Sequence, residues 1–171
     1  MENIVTNKGI SLLELSKGKK VLLVFLRHFG CTFCRETLTE LLNLRNDIEN
    51  EYAEIVLVHQ MNDEYAQQIL KIYHLDDLQR ISDPGLHLYD YFHLKKGTWS
   101  QVFGFKVWWR AIVAGIFKGH LIGKEQGDGW QMPGVFVIHE GKVISKFIHK
   151  YASDRPDYLN LAKTKIRKAV S

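Results

Sequence analysis

The chain has 171 residues, of which 46% are hydrophobic and 25% charged. That is ordinary globular usage and excludes a disordered chain, and the length suits one domain, or one domain with an insertion. Lys plus Arg (23) exceeds Asp plus Glu (19) by four, with no basic run to carry the excess, so nucleic acid is not an expected partner. The only cysteines are Cys31 and Cys34, too few for a disulfide framework or a four-thiolate zinc site. The opening Met1-Glu2-Asn3 lacks a basic region followed by an apolar one, so no signal peptide is expected. The greasy stretch Val107 to Phe117 contains Arg110 and falls short of the roughly 18 to 20 residues of a membrane span. A cytoplasmic protein is expected, in a compartment where a Cys-x-x-Cys pair is more often catalytic than structural.

In chain order, Gly9-Ile10-Ser11-Leu12 alternates and reads as a short edge strand. The apolar run Val21 to Leu26 predicts a strand covered on both faces. Helical spacing of Leu38, Leu41, Leu42, Leu44 and Ile48 predicts a helix from about Thr32 to Glu51. Ile55 to Val58 is a second buried strand, and Asp63 to Tyr73 a second helix. Ile81-Ser82-Asp83-Pro84-Gly85 is a short strand ending in a turn, and Leu86 to Phe92 one or two turns of helix. Lys95 to Gly129 breaks the rhythm and reads as an aromatic insertion with a helix over Lys106 to Lys118. Val135 to Ile138 and Val143 to Ile148 form a hairpin with Glu140-Gly141 in its turn. Tyr158 to Val170 is a closing helix whose basic last turns suit the helix dipole. This order makes an α/β fold with a central mixed sheet: the first two strands parallel through a crossover, the last two antiparallel.

The cysteines sit where a buried strand turns into a helix. A helix N-terminus presents unpaired N–H groups and about half a positive charge, which favours thiolate there. Arg27, Arg35 and His28 add positive potential. Two intervening residues put Cys34 one turn beyond Cys31, within reach of a small disulfide ring. One thiol can then attack a disulfide or peroxide and the other release the product. The competing reading is a pair of small core residues; a metal shared with His28 lacks a fourth ligand nearby in sequence. Met132-Pro133 precedes a strand, where a proline is tolerated because its missing N–H is not needed. A cis peptide at this bond is the alternative.

The chain resembles thioredoxin-fold proteins, and among them the AhpC/TSA-type peroxiredoxin-like family. The resemblance rests on Gly9 to Leu15 with Lys17 to Val21, and on Phe25-Leu26-Arg27-His28-Phe29-Gly30-Cys31-Thr32-Phe33-Cys34. It continues through Ser82-Asp83-Pro84 before a short helix with Tyr89, and through Pro133 to Ile138 with Gly141 to Val143. It implies a single domain over residues 1–171, with the insertion at about 95–129. Against the family's Pro-x-x-x-Thr/Ser-x-x-Cys motif, Cys34 matches the cysteine that attacks peroxide, Cys31 replaces the threonine and Arg27 the proline. The family's arginine before a late strand has no match, leaving Arg27 or Arg110 for that place. Pro133 matches the position of the thioredoxin cis-proline, and Phe25 stands where thioredoxins bury an aspartate. The resemblance implies a thiol-dependent antioxidant peroxidase or disulfide oxidoreductase using Cys31 and Cys34. Cys31, nearer the helix terminus, would attack disulfides and Cys34 peroxide. Arg27 would stabilise the thiolate, and Pro133, Met132 and Phe33 would form the substrate side. No metal or organic cofactor is implied, and a thiol reductant such as a thioredoxin-type system would supply electrons. Trp99, Phe103, Phe105, Trp108, Trp109 and Phe117 of the insertion read as a packed or dimer-forming face, which admits a homodimer. The alternative function is a non-catalytic thioredoxin-fold module that docks partners through those aromatics.

Overall fold

The structure is a computed structural model in which residues 1–27, 29, 32–99, 101 and 127–166 are described. Its centre is a five-stranded sheet of order β3-β2-β1-β4-β5, formed by β1 (Lys20–Phe25), β2 (Ala53–His59), β3 (Gln79–Ser82), β4 (Gly134–His139) and β5 (Lys142–Ile148). β1 pairs in parallel with β2, and β2 with β3; β4 runs antiparallel to both β1 and β5. The parallel and antiparallel pairs follow the order of elements in the chain. The intervening helix α2 (Thr32–Asn50) returns the chain for a parallel partner, whereas the two-residue turn joining β4 and β5 forces an antiparallel one. In that turn Glu140 (φ 49) and Gly141 (φ 68) are both left-handed, the geometry of a tight hairpin. The positive φ favours glycine at Gly141; a Cβ there would stand 2.6 Å from the end of the Leu13 side chain, which would have to turn aside.

β1 is buried along its whole length because both faces of the sheet are covered. Its side chains alternate between two cores. Leu22 and Val24 join Leu38, Leu41 and Ile48 of α2, Ala66 and Leu70 of α3 (Asp63–Ile72), and Tyr158 and Ala162 of α5 (Tyr158–Ala162). Val21, Leu23 and Phe25 face Leu12 and Leu15 of α1 (Leu12–Leu15) and Leu88 and Tyr89 of α4 (His87–Tyr91). β5 is an edge strand, largely exposed, with Lys142 and Lys146 along it. Lysines on an edge discourage pairing with another chain.

Two expectations need correction, and one alternative is decided. Gly9 to Leu12 is not a strand; only an isolated bridge, Val5 to Ser11, forms there. Ser11 instead caps α1, its hydroxyl accepting from the Glu14 N–H at 3.2 Å. The Ser-x-x-Glu spacing outweighs four residues of alternation. The closing helix stops at Ala162, and Lys163 to Ile166 do not continue it. The Lys20 ammonium donates to the Ala162 carbonyl and, at 3.4 Å, to that of Thr164, so a lysine from the sheet satisfies the helix end. Lys163 and Lys165 therefore follow the helix, while Arg167 and Lys168 lie outside the described residues. Finally, no cis peptide occurs among the described residues, so Met132-Pro133 is trans. Pro133 enters β4 from just outside it, where its missing N–H costs nothing.

The expected helix over Lys106 to Lys118 lies outside the described residues, as do Phe103, Phe105, Trp108, Trp109, Arg110 and Phe117. Among the described residues no helix is long and apolar enough to cross a membrane.

Candidate functional site

The site forms where β1 ends and α2 begins. Cys34 is the third residue of α2, in the first turn, where backbone N–H groups lack helical partners. The backbone N–H of Arg27, just past β1, donates to Cys34 Sγ at 3.3 Å. The thiol is nearly enclosed, with Cys34 only 4% exposed. It borders a narrow cavity of about 20 Å³, enough for one water-sized molecule. Arg27, Phe33, Thr37, Pro133, His149, Asp154 and Tyr158 are among the other residues around it.

Two buried residues fix this corner of the sheet. The Tyr89 hydroxyl donates to the Leu26 carbonyl and approaches the Val58 carbonyl at 3.3 Å, joining the ends of β1 and β2. Burial pushes its phenol well above the ordinary value, so it remains a donor. Tyr89 is held in turn by α4, whose first amides are capped by the Asp83 carboxylate: the Leu88 N–H donates to it at 2.7 Å and that of His87 at 3.1 Å. The approach to Pro133 is anchored as well. Gln60 accepts from the Asp128 N–H at 2.6 Å, and the Arg27 guanidinium donates to the Gly129 carbonyl. Gly127 has φ +95, a conformation that favours glycine, and lies close against the Gln60 side chain.

Of the sequence-derived site residues, the structure brings Cys34, Arg27, Phe33 and Pro133 around one cavity. Met132 is buried, its N–H donating to the Lys95 carbonyl at 3.2 Å, but it is not among the residues around that cavity. Cys31 and His28 lie outside the described residues. Arg35 Nε donates to the Phe29 carbonyl at 3.0 Å, bracing the turn that leads into α2.

Sequence reasoning missed His149, Asp154, Thr37 and Tyr158. His149 is 8% exposed, and its Nδ1 has no hydrogen-bond partner. Burial holds this imidazole down at about 4; Asp154 and the backbone carbonyls of Pro133 and Asp154 pull the other way, and Arg27 adds to the lowering. The Asp154 carboxylate accepts the N–H groups of Lys150 and Tyr151 at 2.7 and 2.8 Å, fixing the turn that follows β5. The Tyr158 hydroxyl donates to Thr37 at 3.1 Å, and burial raises its phenol far above the ordinary value. One signal for His149 was available. The hairpin pairs Ile148 with Gly134, which sets the next residue, His149, beside Pro133. A register shift between Val137 and Ile138 alters the count by one, and no turn signal announces it.

Among the described residues no group of three His, Cys, Asp or Glu side chains is arranged to hold a metal ion. The fold is thioredoxin-like: a mixed sheet, helices on both faces, and a cysteine in the first turn of the helix after β1. Solved structures with the same architecture are those of peroxiredoxins and thiol-disulfide oxidoreductases. Peroxidoxin BcpB of Mycobacterium tuberculosis superposes with a TM-score of 0.63 at 16% identity, over 94% of this chain and 87% of that one. Peroxiredoxin Q of Xanthomonas campestris gives 0.59 at 12% identity, over 87% and 80%. The thioredoxin domain of a thiol-disulfide oxidoreductase from Bacteroides vulgatus gives 0.50 at 19% identity, over 91% and 84%. No protein-family model matches the sequence, and no curated protein matches it.

Proposed function

We propose that this protein is a thiol-dependent redox enzyme of the cytoplasm, a peroxidase or disulfide oxidoreductase working through Cys34 and Cys31. The observation that carries the reading is the setting of Cys34. Its sulfur lies in the first turn of α2, accepts the Arg27 N–H, and borders a cavity shared with Pro133. The N–H donor and the helix terminus both favour negative charge on sulfur. The fold shared with peroxiredoxins and thiol-disulfide oxidoreductases supports the same reading.

In the peroxide reaction the Cys34 thiol loses its proton and the sulfur attacks the terminal oxygen of ROOH. The O–O bond breaks, the leaving oxygen takes up a proton as ROH, and Cys34 is oxidised to the sulfenic acid. The Cys31 thiol then attacks that sulfur, forms the disulfide and releases water. An external dithiol, such as a thioredoxin-type protein, returns both sulfurs to thiols by exchange. The cavity of about 20 Å³ favours a small oxidant such as hydrogen peroxide over a bulky one. Arg27 contributes its backbone N–H to the thiol and its positive charge to the cavity. One equivalent of hydrogen peroxide should remove both thiols of the chain, and a dithiol reductant should restore them. Unchanged thiols would leave the second reading, a docking module. What favours that reading is the exposed aromatic pair Trp99 and Trp130, 69% and 40% exposed with ring centres 6.1 Å apart.

A further inference from the structure

Resting on this reading of Cys34, we propose that His149 is its proton-transfer partner, taking the proton from the thiol and returning it to the leaving oxygen. Cys34 is only 4% exposed and shares its cavity with His149, which places that side chain to receive the thiol's proton. Phe25, buried at the end of β1, is a hydrocarbon and offers no acceptor.

The groups around the cavity can be taken in turn. Arg27, from the end of β1, is a permanent cation with no lone pair to offer. Tyr158, from α5, is a phenol whose proton burial holds more tightly than usual, and it donates to Thr37. Asp154 accepts two backbone N–H groups through Oδ2, which ties its carboxylate to the turn after β5. His149 remains. It is more than nine-tenths buried, neutral at physiological pH, and has a ring nitrogen with no partner. The Phe147 ring stands nearly perpendicular to the imidazole, with centres 5.1 Å apart. The turn capped by Asp154 fixes the backbone on its other side.

Burial alone disfavours an imidazolium here, but the transfer creates a thiolate at the same cavity. That opposite charge supports the imidazolium for as long as the thiolate lasts. In full, Cys34–SH gives its proton to His149, the sulfur attacks ROOH, the O–O bond breaks, and the imidazolium protonates RO⁻ to ROH. The products are Cys34–SOH, ROH and neutral His149, so atoms and charge balance.

The test uses the full chain carrying Cys31→Ser, so that Cys34 is the only thiol. Its thiolate absorbance is titrated in the ultraviolet, with and without His149→Gln or His149→Ala. Loss of His149 should move the thiol midpoint by about one pH unit or more. It should also slow reaction with hydrogen peroxide at least ~10-fold at neutral pH. Added imidazole should restore part of the rate to His149→Ala but not to the parent. Retention of the native far-ultraviolet spectrum shows that each variant is folded. An unmoved midpoint in a folded variant overturns the assignment, as does a lower rate that imidazole cannot rescue in His149→Ala. If the parent thiol ignores peroxide and disulfides but its midpoint still moves with His149, the redox reading fails while the pairing of the two groups stands.

Discussion

The two ends of the sheet hold two very different openings. At the end where β1, β2 and β3 begin lies a cleft of about 360 Å³, lined by Lys8, Lys19, Arg45, Glu49, Glu54 and Asp77 among others. At the other end the Cys34 cavity has about 20 Å³. Size alone would favour the first, but Lys19, Arg45, Glu49, Glu54 and Asp77 there are already engaged in ion pairs with one another. Arg45 makes a forked pair with Asp77 at 2.8 and 2.6 Å and reaches Glu49 at 2.9 Å. Lys19 pairs with Glu54, which also accepts from Gln79 at 2.8 Å, and Lys8 donates to the Asp77 carbonyl at 2.6 Å. The small cavity instead holds a sulfur in a helix's first turn and an imidazole nitrogen without a partner. Reactivity follows from groups whose bonding capacity is open to a substrate, and the volume around them matters less.

The strongest way to break this contrast is to remove the sulfur. Cys34→Ser should lower the rate of peroxide or disulfide turnover about a thousandfold or more, since a hydroxyl there is a far weaker nucleophile. Stopped-flow turnover of that variant beside Cys31→Ser assigns the attacking atom; full activity in Cys34→Ser would remove the chemistry from this end of the sheet. Next in size is acid. His149 and the fully enclosed His59 are both held at about 4, each chiefly by burial, against 6.5 in an unfolded chain. Between those values the unfolded chain binds more protons than the folded one. Stability is therefore complete above about pH 6.5 and falls as pH drops towards 4, by on the order of 3 kcal/mol for each ring. Neither nitrogen of His59 makes a hydrogen bond of normal length, and Nε2 lies 4.0 Å from the Asp63 carboxylate, so replacement by Leu removes chiefly the buried titrating ring. Urea midpoints measured across that window should show about half the parent's slope in His59→Leu. An unchanged slope would mean that His59 does not titrate as its burial demands.

The architecture was readable in the sequence wherever a local pattern coincided with tertiary demand. The run Val21 to Leu26 must be apolar on both faces because helices cover both, and the stripe on α2 faces only one core. Cys34, Phe33 and Arg27 were found because strand end and helix start are adjacent in sequence. Pro133 was found because a proline before an apolar run marks a strand entrance. His149 and Tyr158 were not found, because their place beside Cys34 is set by pairing across more than a hundred residues. That pairing includes a bulge in the last hairpin, and an exposed edge strand carries weak periodicity. The absence of a strand at Gly9 to Leu12 has a simpler cause. Four alternating residues are a shorter signal than the capping pair Ser11 and Glu14.

Two smaller effects sharpen the comparison between the two ends. Tyr89→Phe removes the hydroxyl shared between the Leu26 and Val58 carbonyls. A cost of about 1–2 kcal/mol is expected, read as a lower urea midpoint with unchanged slope. Because Leu26 directly precedes Arg27, the peroxide rate should fall modestly as well. The smallest effect belongs to the large cleft. Arg45→Met breaks the fork to Asp77 and the contact with Glu49, yet these groups are partly in water, so the loss should be about 0.5 kcal/mol or less. It should shrink further in salt, which screens exposed pairs. Asp77, held below its ordinary value first by the hydrogen bond from Arg45, should return towards it in the variant, which removes stability the parent keeps above about pH 4. The rate of Cys34 with peroxide should not change, because no charge of the cleft borders the thiol cavity. A rate altered by more than about threefold, under 0.7 kcal/mol, would show that the two ends of the sheet are energetically coupled.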